Sequence, residues 1–108
     1  MNSNIIFIYT TYPDLSSAKE QSTALLTQRL IACVNFFPQM ISMYHWEEKI
    51  EESHEVVAIF KTRSDLFSQC QEAIKSRHPY SVPCILKLEI TDGAQEYMHW
   101  IKQETKQT

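Results

Sequence analysis

The sequence predicts an α+β fold of the ferredoxin-like type, a four-stranded antiparallel sheet with helices on one face. Its 108 residues suit a single domain, and we treat residues 1–108 as one unit. The hydrophobic periodicity gives the order βαββαβ, followed by a short terminal helix. Two segments, Ile5–Tyr9 and Val56–Phe60, are apolar or aromatic at every position, which is typical of strands buried on both faces.

In the first half of the chain, the pattern predicts a strand, a helix and a long hairpin. The strand Ile5–Tyr9 ends before Pro13, and Asp14 is placed to cap a helix running from Leu15 to Leu30. A second β-rich run, Ile31–Phe37, is stopped or bulged by Pro38. Residues 39–48 then alternate, which places Tyr44 and Trp46 on one face, and the charged segment 47–55 is predicted to be a solvated hairpin bend.

The second half predicts a strand, a helix, a rigid loop, a strand and the terminal helix. Ser64 is expected to cap the helix that follows Val56–Phe60. Prolines make residues 78–83 irregular. Leu86, Leu88 and Ile90 alternate with charged residues and predict a strand with one wet face, and Asp92 with Gln95 resembles a capping box for a helix over 94–103.

This fold leaves one face of the sheet open, which conflicts with strands that are apolar on both faces. The terminal helix is too short to cover the open face alone. Self-association is the simplest way to bury it, so we expect a homo-oligomer.

Composition excludes several classes of function. Ten basic and thirteen acidic residues give a net charge of −3 and pI ≈ 5.8, so nucleic acid is not an expected partner. The single glycine, Gly93, rules out glycine-rich phosphate-binding loops. The longest apolar run is too short to cross a bilayer, and no membrane association is expected. Three cysteines do not make a paired disulfide framework, which favours a reducing, cytoplasmic location.

The candidate chemistry centres on the loop after the second helix. Cys84 follows His78 and Tyr80, and a thiol so close to an imidazole can bind a soft metal or form a nucleophile pair, while simple loop packing is the alternative. No spacing of histidines or cysteines predicts a closed zinc site, and the acidic segment 47–55 is read as a solvated surface rather than a cation site. Cys33 and Cys70 are expected to be buried, inert thiols.

Several short motifs occur in a specific order along nearly the whole chain. They include Ala32-Cys33-Val34-Asn35, Tyr44-His45-Trp46, His78-Pro79-Tyr80-Ser81-Val82-Pro83 and Tyr97-Met98-His99-Trp100. Together they closely resemble the CutA family of divalent-cation tolerance proteins. The resemblance implies a ferredoxin-like subunit with a long hairpin and an intertwined homotrimer akin to PII signalling proteins. It also implies a cytoplasmic role in the response to copper or another divalent metal, and no enzymatic activity.

The chain departs from the family pattern at the expected metal ligands. The copper site proposed for the family uses Cys, His and Glu, and the matching positions hold Thr10, Arg77 and Cys84. A thiol in place of a carboxylate favours softer ions such as Cu(I) or zinc, and we expect Cys84, with His78, to be the metal-binding residues. The family usually has glycine where Glu48 stands.

Two functions follow from the resemblance. The first is a trimeric metal-responsive binding protein, and the second is a PII-like module that binds a small anionic ligand through Lys61, Arg63 or Arg77. A hydrolase using Cys84 and His78 is disfavoured because nothing orients the histidine. For either function we predict one ligand crevice near a subunit boundary, lined by Tyr44, Trp46, Lys61, His78 and Tyr80.

Overall fold

A computed structural model describes residues 4–107 and shows four strands and three helices. No helix in this part of the chain is both long and apolar enough to cross a membrane. The elements are β1 (Ile5–Tyr12), α1 (Leu15–Thr27), β2 (Cys33–Trp46), β3 (Lys49–Arg63), a single 3₁₀ turn (Ser64–Leu66), α2 (Phe67–Arg77), β4 (Ile85–Glu89) and α3 (Gln95–Glu104).

The strands form one antiparallel sheet in the order β2-β3-β1-β4. The two strands predicted to be buried on both faces, β1 and β3, are its central pair. This confirms the predicted ferredoxin-like α+β arrangement, with α1 and α2 on one face.

The hydrophobic core lies between the sheet and helices α1 and α2. Alternation along β1 sends Ile6 and Ile8 to this face, and the register places Phe60 of β3 opposite Ile8. These side chains are completely buried against residues of both helices, including Leu25, Cys70 and Ile74. Cys70 is therefore a core residue, as predicted.

The opposite side of the sheet, here called the outer face, is apolar and only partly covered. Cross-strand pairing aligns Cys33, Lys61, Phe7 and Leu88 in one row, and Asn35, Ile59, Tyr9 and Leu86 in the next. Helix α3 contacts β3 and β1 over the first row. Leu86 stays 57% exposed and Leu88 47% exposed, whereas the charged residues of β4 alternate toward the helix side.

The hairpin of β2 and β3 extends beyond the rest of the sheet as a two-stranded ribbon. A register shift between Phe37 and Met40 marks the bulge predicted at Pro38. Beyond it the strands pair as far as Trp46 and Lys49. The prediction of a hairpin bend over 47–55 is wrong, because only Glu47 and Glu48 turn, with φ of 49° and 63°, and the charged residues after them belong to β3.

The predicted helix ends need several corrections. Asp14 caps α1 as expected, since its carboxylate accepts from the Ser17 N–H at 2.7 Å. The helix ends at Thr27 rather than at Leu30, because Arg29 adopts φ 56° and the chain turns into β2.

The other two predicted caps are wrong. Ser64 opens the 3₁₀ turn, and α2 starts after Leu66 without a side-chain cap. The Asp92 carboxylate accepts from the adjacent Gly93 N–H, and Ala94 occupies the cap position of α3, so no capping box forms with Gln95.

Candidate functional site

The candidate site lies where the loop between α2 and β4, residues 78–84, packs against the end of β1 and the middle of β3. Pro79 and Pro83 keep this loop out of regular structure. The register brings the site together: Tyr12 of β1 pairs with Val56 of β3, next to Glu55, while Thr10 pairs with Ile85, next to Cys84.

His78 anchors the loop to β1. Its Nε2 lies 2.7 Å from the Thr11 carbonyl oxygen, and its Nδ1 accepts a hydrogen bond from the Tyr80 N–H at 3.0 Å. The ring also stacks on Tyr12, with centroids 4.5 Å apart. Because Nδ1 accepts, Nε2 carries the proton and donates to the carbonyl, so both nitrogens of the neutral ring are occupied. Burial lowers the pKa of His78, opposed by the bond to Thr11 and by the charge of Glu55.

Glu55 is the carboxylate of the site, and weakly acidic groups surround it. The Tyr80 hydroxyl donates to Glu55 Oε2 at 2.9 Å. Burial raises the pKa of Tyr80, and Glu55 raises it further through this hydrogen bond and its charge. Burial also raises the pKa of Cys84, with a second contribution from Glu55. Burial is also the main cause of the raised pKa of Tyr9, and the charges of Cys84 and Glu55 raise this pKa further.

The hairpin places the two predicted aromatic residues at different distances from this loop. Tyr44 and Trp46 share one face of β2, as the alternation predicted, and Tyr44 donates to Ser53 Oγ at 3.3 Å across the ribbon. Tyr44 is near enough to contribute to the raised pKa of Tyr80. Trp46 stands at the end of the ribbon and is 60% exposed.

Lys61 lies at the other end of the sheet. It is six residues from Glu55 along β3, which corresponds to about 20 Å in an extended strand. It pairs with Phe7 and Cys33, and its Nζ donates to the Tyr97 hydroxyl at 3.0 Å. Within one chain, therefore, Tyr44, His78 and Tyr80 lie close together while Lys61 does not join them. That all five predicted residues share a crevice across a subunit boundary stays a prediction.

The described residues of one chain do not form a complete metal site. Across residues 4–107, no three side chains of the His, Cys, Asp and Glu types converge to hold an ion. The Cys84 thiol and the Glu55 carboxylate are near enough for the carboxylate to raise the pKa of the thiol, in addition to the larger effect of burial. His78 would have to give up one of its two hydrogen bonds to bind a metal. The expected ligand positions also hold Thr10, which is completely buried, and Arg77, at the end of α2.

Sequence reasoning singled out His78, Tyr80 and Cys84 but did not place Tyr9 and Glu55 beside them. The sequence predicts a solvated bend at Glu55, because this residue ends a run of charged residues. The alternation of β3 carries the missing information, since Glu55 is two positions before the buried Val57 and therefore shares its face of the sheet.

The fold and site define a class: a small α+β protein with a ferredoxin-like sheet, a projecting β-ribbon and a proline-fixed loop that closes over one sheet end. The family model described as CutA1 divalent ion tolerance protein matches residues 6–104. The chain belongs to this family.

Curated relatives support the assignment over nearly the whole chain. The divalent-cation tolerance protein CutA of Pyrococcus horikoshii is 46% identical over 102 residues, which cover 94% of this chain and 99% of the relative. Protein CutA of Mus musculus is 41% identical over 91% of this chain, but the match spans 55% of the mouse protein.

Solved structures give the same result for the fold. CutA1 from Ehrlichia chaffeensis superposes with a TM-score of 0.93 at 34% identity, covering 99% of this chain and all of that one. The structure of the periplasmic divalent cation tolerance protein CutA from Archaeoglobus fulgidus superposes with a TM-score of 0.91 at 38% identity, covering 94% of this chain and 99% of that one.

Proposed function

We propose that this protein acts in divalent-cation tolerance as a non-catalytic protein that binds a soft or borderline metal ion through Cys84. The proposal is carried by the position of the Cys84 thiol, at the end of the proline-containing loop and near enough to Glu55 for this carboxylate to contribute to the raised pKa of the thiol. The relatives are named for cation tolerance rather than for a reaction, which agrees with a binding role.

The donor chemistry determines which ions suit the site. A thiolate and a carboxylate together favour zinc or Cu(I) over Mg²⁺, which prefers an all-oxygen octahedral set. A positive ion offsets the repulsion between Glu55 and an ionised Cys84, so metal binding and loss of the thiol proton are coupled. His78 is the third candidate donor. If it binds the metal, it loses its hydrogen bond to Thr11 or the one to Tyr80.

A tight site needs three or four converging donors, so we propose that a second chain completes it. The supporting observation is the exposed apolar surface of the outer face and the ribbon, including Leu86, Ile41 and Ile50. We propose an intertwined homotrimer, akin to PII proteins, in which Tyr44, Trp46, Lys61, His78 and Tyr80 line one crevice at a subunit boundary. Light scattering during gel filtration tests the assembly: we expect three times the 12.7 kDa chain mass, and a stable monomer at micromolar concentration contradicts it.

Calorimetric titration under reducing conditions tests the metal site. We expect zinc to bind the unmodified protein and to bind Cys84→Ser at least about tenfold more weakly, with little binding of Mg²⁺ or Cu²⁺ to either. Cys33→Ser is the matched control and should bind zinc as the unmodified protein does, because Cys33 lies at the other end of the sheet. If zinc binds Cys84→Ser as tightly as the unmodified protein, Cys84 is not a ligand.

A second candidate function is a PII-like module for a small anion, and one observation favours it. Arg77 lines a groove of about 260 Å³ between α1 and α2, with Gln21, Gln28 and Ser76. The other two predicted anchors are engaged elsewhere, since Arg63 is buried against Asp65 and Thr105 and Lys61 donates to Tyr97. Titration with inorganic phosphate tests this function, and binding that is lost in Arg77→Gln supports it over the metal site.

We also propose that the protein is cytoplasmic. Cys33, Cys70 and Cys84 are all free thiols, as expected in a reducing compartment. One solved relative is described as periplasmic, so the location needs direct measurement. Cell fractionation with thiol alkylation before lysis tests it, and recovery in the periplasmic fraction contradicts the proposal.

A further inference from the structure

A cluster of three reactive groups lies at the end of the sheet opposite the candidate metal site. Cys33 begins β2, Lys61 faces it from β3, and Tyr97 reaches both from α3. The Tyr97 hydroxyl lies 3.0 Å from Lys61 Nζ and 3.6 Å from Cys33 Sγ. Lys61 also belongs to the predicted crevice, but Cys33 and Tyr97 do not, and the proposed metal site uses none of the three.

The hydrogen bonds of the cluster have a direction. An ammonium can only donate, so Tyr97 accepts from Lys61. Its own hydroxyl hydrogen is then available for the sulfur of Cys33, whose contact allows either group to donate. The resulting chain runs from a cation through a phenol to a thiol. In such a chain each hydrogen bond strengthens the next.

Aromatic rings hold the cation in place. Lys61 Nζ lies 5.3 Å from the centroid of Phe7 and 5.2 Å from that of Tyr97. Such contacts favour a fixed ammonium over one that extends freely into solvent. Cys33 itself is half-buried, which corrects the expectation that it would be buried, and its contact with Tyr97 lies at an exposed position.

The other two cysteines occupy unfavourable environments for a thiolate. Cys70 is completely buried, and burial raises its pKa to about 12. Cys84 faces Glu55, and burial together with this charge raises its pKa. Reactive cysteines are found in partly exposed, electropositive surroundings, and Cys33 is the one placed beside a cation.

We propose that Cys33 is a peroxide-reactive thiol whose reactivity depends on Lys61 and Tyr97. The Cys33 thiolate attacks one oxygen of hydrogen peroxide, the O–O bond breaks, and the sulfur becomes a sulfenic acid. The departing hydroxide takes a proton and leaves as water. The sulfur loses two electrons and the peroxide gains them, so no other oxidant is needed. An external thiol then condenses with the sulfenic acid to form a mixed disulfide with release of water. A second external thiol attacks this disulfide, which returns Cys33 to the thiol and releases the external thiols as their own disulfide.

The test follows all three cysteines in one sample. Reduced protein in its native assembly is treated with hydrogen peroxide in the presence of a cyclic 1,3-dione that traps sulfenic acid, and each cysteine peptide is quantified by mass spectrometry. A chelator is present throughout, so that the result is independent of the proposed metal site. We expect Cys33 to be trapped at least about tenfold faster than Cys70 or Cys84, given their environments.

Two variants connect the reactivity to the cluster. Tyr97→Phe removes only the hydroxyl, and Lys61→Met keeps the apolar stem but removes the charge. Each is expected to slow trapping of Cys33 by about tenfold, the effect of losing one hydrogen bond to a developing charge. Lys87→Met is the matched control, because this lysine lies over the Phe67 ring on the other side of the sheet.

Trapping of the buried Cys70 reports any unfolding in the same sample. The proposal is overturned if Cys33 reacts no faster than Cys84. It is also overturned if both cluster variants keep the original Cys33 rate while Cys70 stays protected.

Discussion

Replacing Glu55 by glutamine is expected to change the reactivity and the metal affinity of Cys84 in opposite directions. The carboxylate contributes to the raised pKa of the Cys84 thiol, after the larger effect of burial. Removing the charge brings this pKa closer to its ordinary value of 9.0. Repulsion between two partly exposed charges is typically worth up to about 1 kcal/mol, so we expect the reactivity of Cys84 to rise by up to about fivefold.

The substitution leaves the loop in place, which keeps the result interpretable. Tyr80 donates its hydroxyl hydrogen to Glu55, and the amide oxygen of glutamine can accept the same bond. His78 remains bonded to Thr11 and to the Tyr80 backbone. We therefore expect the far-ultraviolet circular dichroism spectrum and the thermal midpoint to change little.

The assay combines alkylation kinetics with zinc titration. Iodoacetamide modification of Cys84, followed by peptide mass spectrometry from pH 7 to 9.5, should accelerate by up to about fivefold in Glu55→Gln, while zinc binds more weakly because one donor is lost. Glu52, which is exposed and pairs with Met43 on the ribbon, provides the control. Glu52→Gln should change neither the alkylation rate of Cys84 nor the zinc affinity. An unchanged or slower alkylation of Cys84 would refute the electrostatic argument, and unchanged zinc affinity would remove Glu55 from the proposed donor set.

Three further predictions concern stability. Phe60→Ala should lower the free energy of unfolding in urea by about 3–5 kcal/mol, because the ring is completely buried at the centre of the core, and a loss below about 1 kcal/mol would contradict that placement. Burial raises the pKa of Cys70 to about 12, against 9.0 for an ordinary thiol, so the unfolded chain loses this proton at lower pH than the folded protein does. The free energy of unfolding should therefore fall by up to about 4 kcal/mol as the pH rises from 9 to 12. Urea denaturation across this pH range should show a smaller fall for Cys70→Ala. Glu48→Gly should raise the free energy of unfolding by about 1 kcal/mol in the same assay, because glycine adopts the φ of 63° at this turn without steric cost. A destabilised variant would show that the glutamate side chain has a stabilising role.

The periodicity of the sequence was sufficient for the fold but not for the ends of its elements. Runs such as Ile5–Tyr9 identify central strands, because only burial on both faces explains such a pattern. The prediction of a bend over residues 47–55 fails because charged residues indicate exposure to solvent, not the end of a strand. In the structure these residues alternate along β3 and pair with β2, so charge on an exposed ribbon does not terminate a strand. The failed caps have a similar origin, since Ser64 and Asp92 have suitable side chains but the helices start elsewhere.

The sequence predicted the part of the site that is formed by residues close together in the chain. His78, Tyr80 and Cys84 belong to one loop, and their grouping needs no tertiary information. Glu55 is distant in sequence and joins them only through the register of β1 with β3 and β4. Long-range pairing is decided by the packing of whole faces, which a single sequence expresses only as alternation.

The same register gives the two thiols of the outer sheet region opposite electrostatic surroundings. Cys84 joins β4 near Glu55, and Cys33 begins β2 opposite Lys61. A bound cation would compensate the Glu55 carboxylate at the first site, whereas at the second site the Lys61 ammonium already donates to Tyr97, which contacts Cys33. Metal binding is therefore expected at Cys84, where an ion relieves repulsion, and oxidation at Cys33, where an ion would meet an ammonium. A measurement that counts all cysteines together would average these two behaviours, so each thiol has to be followed by its own peptide.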